Sequence, residues 1–223
     1  MKDLTITQEY MICAVNEKGI LPSYKNEAVA CFIAGGILEM QMENCISIEN
    51  KKVTVNTALP EKMEYLRPLY EIMNQEKPVK LDKVFETYMV AFTDKKLHQL
   101  TDSIMNSLKD ANVIVPVKAG IIKNKENYVP AKETVNYVIE KIRAELLEDG
   151  EFTEDVIALT ALLDRAGYLK DYFSKHEKSE LKKRLSEIKD SEAGKSVKDM
   201  VNNVEGIVSL MLITAGVSSI TNS

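Results

Sequence analysis

The chain has 223 residues, 45% of them hydrophobic and 28% charged, with nine glycines and six prolines, so it can bury a sizeable core and does not resemble a disordered or turn-rich all-β protein. A net charge of −5 argues against sequence-independent nucleic-acid binding, which draws its affinity from a basic surplus on phosphate. Three cysteines and two histidines, scattered without a CxxC pair or a Cys/His cluster, exclude a disulfide framework and a structural zinc site.

The opening Met1–Thr5 lacks the basic and then apolar layout of a signal peptide, and reduced thiols fit an intracellular protein. Thr5 stands at a cap position before an apolar-periodic run through Tyr10, Met11, Ala14 and Val15. This predicts a first helix ending near Gly19 as its C-cap. Pro22 and Ser23 break the chain before a long second helix, about Tyr24 to Glu43, with Ala28, Cys31, Phe32, Gly35, Leu38 and Met42 at three- and four-residue steps. Cys13 and Cys31 read as small core side chains. Gly35 and Gly36 lack the Lys-Ser/Thr of a phosphate loop and are expected to serve close helix packing. Glu39, among apolar neighbours, is expected to be buried with a structural partner.

Alternation in 45–48 and 53–55 predicts a β-hairpin turning through Glu49–Lys52. A helix follows Pro60, with Pro68 implying a kink or a late start. Two amphipathic helices come next, one from Leu81 to Phe92 and one from Leu97 to Leu108. Val113–Val115 and Tyr128–Val129 predict a second hairpin, its tip near Gly120–Asn127. Further helices are expected over Ala131–Asp149, from a Thr153 cap through Ala166, through Leu181, Leu185 and Ile188, and over Val197–Ile220. The last of these contains the most apolar run, which is shorter than the roughly 20 residues that span a bilayer. No stretch reads as an interdomain linker. The expected fold is therefore mainly α, a single compact domain over residues 1–223 with a central helix bundle, surrounding amphipathic helices and two small β-hairpins.

No catalytic constellation is apparent. His98 and His176 lie in polar helical segments without an evident partner, and no second carboxylate stands at catalytic spacing from Glu39. The ten methionines, Met11, Met40, Met42 and Met89 among them, read as core filler. No metal and no cofactor are expected.

Three stretches, taken in order, resemble the Golgi phosphoprotein 3 family: Leu4–Glu9 followed by a helix carrying Ala34–Met40 and then a strand, Leu108–Ile114, and Ala158–Leu169. Their colinearity over nearly the whole chain carries the resemblance. It implies a helical domain with peripheral hairpins and no enzymatic activity. It also implies the function of the eukaryotic members, peripheral membrane proteins that bind phosphatidylinositol 4-phosphate and grip the cytoplasmic tails of Golgi enzymes.

In those members a tryptophan and several arginines form the headgroup pocket. The equivalent positions here are Tyr24, Ile33, His98 and Thr101, none of them a guanidinium. The hairpin that relatives use for membrane insertion or self-association corresponds to Ile121 and Ile122, flanked by Lys118, Lys123 and Lys125. Two readings follow. One is a cytoplasmic adaptor, peripheral at a membrane, that meets an anionic phospholipid headgroup or membrane surface and a protein partner or a second copy of itself. The other is a cytosolic interaction or regulatory module with the same fold and no lipid binding.

Overall fold

The computed structural model describes residues 3–89, 94–117, 127–148, 151–190, 202 and 205–210. The architecture is mainly α with two small antiparallel sheets, as the sequence predicts.

The centre is built from three helices that bury most of their side chains. Helix α1 (Ile6–Ala14) packs against α2 (Asn26–Met42) and α7 (Glu154–Arg165), and α2 packs against α7. In α2 every residue from Ala28 to Met40 is buried. A helix apolar on all faces has no solvent side, so it runs through the middle of the molecule. Gly36 permits this crowding: a Cβ there would meet Leu69 Cδ2 at 2.8 Å and Leu66 Cδ2 at 3.1 Å. The pair of glycines thus serves helix packing, as expected. Helix α7 begins where Thr153 caps it, the hydroxyl accepting from the Val156 N–H at 3.4 Å.

Around this centre lie α5 (Lys95–Asp110), α6 (Lys132–Leu146) and α9 (Lys175–Asp190), each with one buried stripe. On α9, Leu181, Leu185 and Ile188 are that stripe and the rest is highly charged. A short α8 (Leu169–Tyr172) is tied to α1 by the Tyr172 hydroxyl, which donates to the Cys13 carbonyl at 2.7 Å. Pro68 marks a late start rather than a mid-helix kink: a 3₁₀ turn over Glu61–Leu66 precedes α3 (Arg67–Met73), and Pro68 falls in its first turn, where a missing N–H costs nothing. Helix α4 spans Leu81–Met89.

The first hairpin pairs β1 (Ile46–Glu49) with β2 (Lys52–Val55), in register from Ile46 opposite Val55 to Glu49 opposite Lys52. Its two turn residues, Asn50 and Lys51, have φ of 50° and 59°, the left-handed pair of a type I′ turn whose twist suits a hairpin. A two-residue β3 (Val79–Lys80) adds to β2 and makes this sheet three-stranded. The second sheet pairs β4 (Ile114–Val117) with β5 (Asn127–Pro130), Val115 opposite Val129. The tip of that hairpin, with Lys118, Ile121, Ile122, Lys123 and Lys125, lies outside the described residues. So does most of the expected helix over 197–220, of which 205–210 are described as helical with Ile207 and Val208 buried.

Gly19 does not cap α1, which ends at Ala14. Instead, Asn16 to Ile20 form a tight turn, in which Asn16 Oδ1 accepts from the N–H groups of Lys18 and Ile20. Gly19, at φ +70°, is pressed so closely on β5 that a Cβ would fall 1.8 Å from the Tyr128 carbonyl oxygen. The glycine is required by a contact 109 positions along the chain, not by a helix end.

Candidate functional site

The four headgroup-equivalent positions differ sharply in setting. Tyr24, ahead of α2, is 81% exposed, whereas Ile33 in the middle of α2 is fully buried and out of reach of any surface ligand. His98 is exposed on α5 and Thr101 half-buried one turn later, its hydroxyl donating to the His98 carbonyl at 3.1 Å. His98 and Thr101 therefore share one face of α5, and neither carries a fixed positive charge. Beside Tyr24, Lys25 Nζ lies 5.2 Å from the ring centre of Tyr168.

A different site stands out by shape and charge. A cleft of about 690 Å3 opens between the start of α1, the end of α2, the 3₁₀ turn and α5, a size typical of ligand sites. Among the described residues, seven carboxylates line it against one lysine, Lys62. Lys62 is already paired with Glu43 at 2.7 Å, and Glu64 is held by Arg67 at 2.6 Å. Asp3, Glu61, Asp110 and Asp155 extend the acidic lining from the α1 end to the start of α7, while Leu4, Ile6, Met42 and Met63 supply apolar wall.

Glu39 forms part of the lining although it is only 6% exposed. One carboxylate oxygen accepts from the Thr7 backbone N–H, and the other from the Tyr65 hydroxyl at 2.7 Å. The Tyr65 oxygen also lies 2.8 Å from Thr5 Oγ1. Burial pushes the Glu39 carboxyl above its ordinary range, and the hydrogen bonds from Thr7 and Tyr65 oppose that shift. The Tyr65 phenol is likewise pushed up, chiefly by burial and then by the Glu39 charge. Next to this network, the Gln8 amide donates to Ser107 Oγ at 2.9 Å and joins α1 to α5. The buried Glu39 thus has structural partners, as the sequence leads one to expect.

Among the described residues lining the cleft there is no histidine or cysteine, and the hydroxyl that meets Glu39 belongs to a tyrosine donating to it. No group of three or more His, Cys, Asp or Glu side chains among the described residues could hold a metal ion. The thiols of Cys13 and Cys31 are buried and pushed well up by desolvation, which makes them inert.

A second, smaller hollow of about 470 Å3 contains His176 with Arg143, Lys183 and Arg184, interleaved with glutamates. Its cations are committed: Arg143 bonds Glu177 at 2.8 Å and Glu140 at 2.6 Å, and Lys183 and Arg184 both face Glu187.

Sequence reading missed the cleft because its acids come from five separate segments. Only Glu39 carried a signal, a lone carboxylate in an apolar helix. No described helix is long and apolar enough to cross a membrane. A family model described as Golgi phosphoprotein 3 (GPP34) matches residues 6–204. No curated protein matches the chain significantly.

Proposed function

The chain belongs to the Golgi phosphoprotein 3 family, and from that premise we propose that it is a non-enzymatic adaptor that takes a basic segment of a partner protein in its acidic cleft. The observation that carries this reading is the balance of seven carboxylates to one lysine in a partly apolar hollow. Such a lining attracts Lys and Arg side chains and packs their aliphatic stems. It repels a phosphorylated headgroup, which needs guanidinium or ammonium donors in fixed positions. Tyr24, His98 and Thr101 offer no such donor set, and Ile33 is in the core. Of the two functions that the resemblance implies, tail binding therefore has support and phosphoinositide selection has little. The contiguous core that joins α1 to α9 supports treating residues 1–223 as one domain.

A second reading places the protein at a membrane surface from the cytoplasmic side. Strands β4 and β5 lead into the segment with Lys118, Ile121, Ile122, Lys123 and Lys125, and Val115 at its base is 45% exposed. The two readings are compatible: an adaptor can touch a bilayer through the hairpin while it holds a protein segment elsewhere.

Titration with a short peptide of alternating apolar and Lys/Arg residues tests the cleft. It should bind, weaken as salt rises, and lose about tenfold in affinity in the Glu61→Gln/Asp110→Asn double variant, since each lost charge contact is worth a fraction of the 1.4 kcal/mol per decade. Equal binding of a charge-reversed peptide, or no change in the double variant, would remove the cleft from the account.

A further inference from the structure

Among the described residues two glutamates are buried, and their charges are answered differently. Glu9 of α1, 1% exposed, has a cation of its own: both of its oxygens accept from Lys141 Nζ of α6, at 3.1 and 3.2 Å. Glu39 of α2, 6% exposed, meets neutral donors, the Thr7 N–H on one oxygen and the Tyr65 hydroxyl on the other. Among the described residues no Lys, Arg or His side chain bonds it. A buried carboxylate without a cation keeps a desolvation cost that two neutral hydrogen bonds offset only in part. What sets the two apart is their place. Glu39 lies in the wall of the acidic cleft, and Glu9 does not.

The oxygens at that place form a chain. Glu39 Oε2 lies 2.7 Å from the Tyr65 hydroxyl oxygen, which lies 2.8 Å from Thr5 Oγ1, and all three residues line the cleft. Each oxygen has acceptor capacity beyond its bond within the chain. A lysine ammonium, compact and with three donors, suits such a row of acceptors. A guanidinium fork needs the two oxygens of one carboxylate free together, and both oxygens of Glu39 are already engaged. Leu4, Ile6, Met42 and Met63 supply apolar wall for an aliphatic stem.

We infer that Glu39 is the anchor of the cleft: with Tyr65 and Thr5 it takes the ammonium of one lysine side chain of the bound segment, whose stem lies along that apolar wall. This rests on the reading of the cleft as the seat of a basic segment. The exposed Glu61 and Asp110 then attract the segment, whereas Glu39 selects the side chain that enters. The contact at Glu39 is shielded from water, so salt screens it less than it screens the contacts at Glu61 and Asp110.

Two peptides test this, one alternating apolar residues with lysine and the other carrying arginine in the same places. Glu39→Gln removes the charge and keeps the packing: its amide oxygen can accept from the Thr7 N–H, and the Tyr65 hydroxyl can turn to Thr5 and accept from the amide. The lysine peptide should bind the wild type more tightly than the arginine peptide and lose about tenfold in Glu39→Gln. That loss should persist at high salt, where the effect of Glu61→Gln/Asp110→Asn has faded. Carboxyl NMR of the wild type gives a readout that does not need Glu39→Gln to fold. The Glu39 resonance, recognised by its displacement in Tyr65→Phe, should move as the lysine peptide saturates. Binding that Glu61→Gln/Asp110→Asn weakens, but that leaves this resonance and the Glu39→Gln affinity unchanged, would overturn the anchor and spare the cleft. Equal or tighter binding of the arginine peptide would overturn the choice of lysine, and no binding of either peptide would remove cleft and anchor together.

Discussion

Gly19→Ala is expected to destabilise the protein by about 3 kcal/mol, from left-handed backbone strain plus a steric clash. The residue has φ +70°, and the added methyl would sit 1.8 Å from the Tyr128 carbonyl oxygen, 2.9 Å from its carbon and 3.4 Å from its nitrogen. A backbone carbonyl cannot swing aside as a side chain would, so the Asn16–Ile20 turn must lift off β5. Gly167 supplies the control. It has φ +75° but nothing within 4 Å of where a Cβ would stand, so Gly167→Ala should cost only the strain, about 1 kcal/mol. Urea unfolding of the two variants separates the effects, since their difference isolates the clash. Equal losses would mean that the turn does not rest on β5 in solution.

The second large effect is at Glu39. Removing its carboxylate in Glu39→Ala leaves the Thr7 N–H without its acceptor, leaves the Tyr65 hydroxyl only Thr5 Oγ1, and opens a void beneath the cleft. The expected loss is about 3 kcal/mol, from an unsatisfied buried donor and missing contacts. Tyr65→Phe, which removes one donor and keeps the ring, should cost about 1 kcal/mol. The two changes share a hydrogen bond, so Glu39→Ala with Tyr65→Phe should be less destabilised than the sum of the single losses. A strictly additive pair would mean that the 2.7 Å contact contributes nothing.

The parts of the fold legible in the sequence were those written locally. The stripe of α9, the Thr153 cap, the Pro68 helix start and the first hairpin each follow from a few neighbouring residues. What was not legible depends on residues far apart in the chain. Strand β3, at two residues, is too short to alternate, and it exists because Val79 meets Val53. Gly19 reads as a helix end because its true reason, Tyr128, is remote. Helix α2 carries apolar residues on every side, so its periodicity could not reveal that Ile33 faces the core. The cleft is the extreme case: Asp3, Glu61, Asp110 and Asp155 lie far apart in the chain, and only the packing of the elements that carry them brings them around one hollow.

These observations divide the two functions associated with the family resemblance. Headgroup selection depends on a few guanidiniums, and the equivalent positions hold an exposed tyrosine, a core isoleucine, a surface histidine and a half-buried threonine. The proposed segment binding draws on a shaped hollow of suitable charge, and the acidic cleft is the candidate for it.

Co-sedimentation with liposomes separates the two most directly. Neutral, mixed anionic and phosphatidylinositol 4-phosphate vesicles, matched in total charge, are compared at low and physiological salt. The account predicts no preference for the phosphoinositide: any binding follows vesicle charge alone and fades with salt. Selective retention on phosphatidylinositol 4-phosphate vesicles at physiological salt would contradict it and make Tyr24, His98 and Thr101 a working headgroup site.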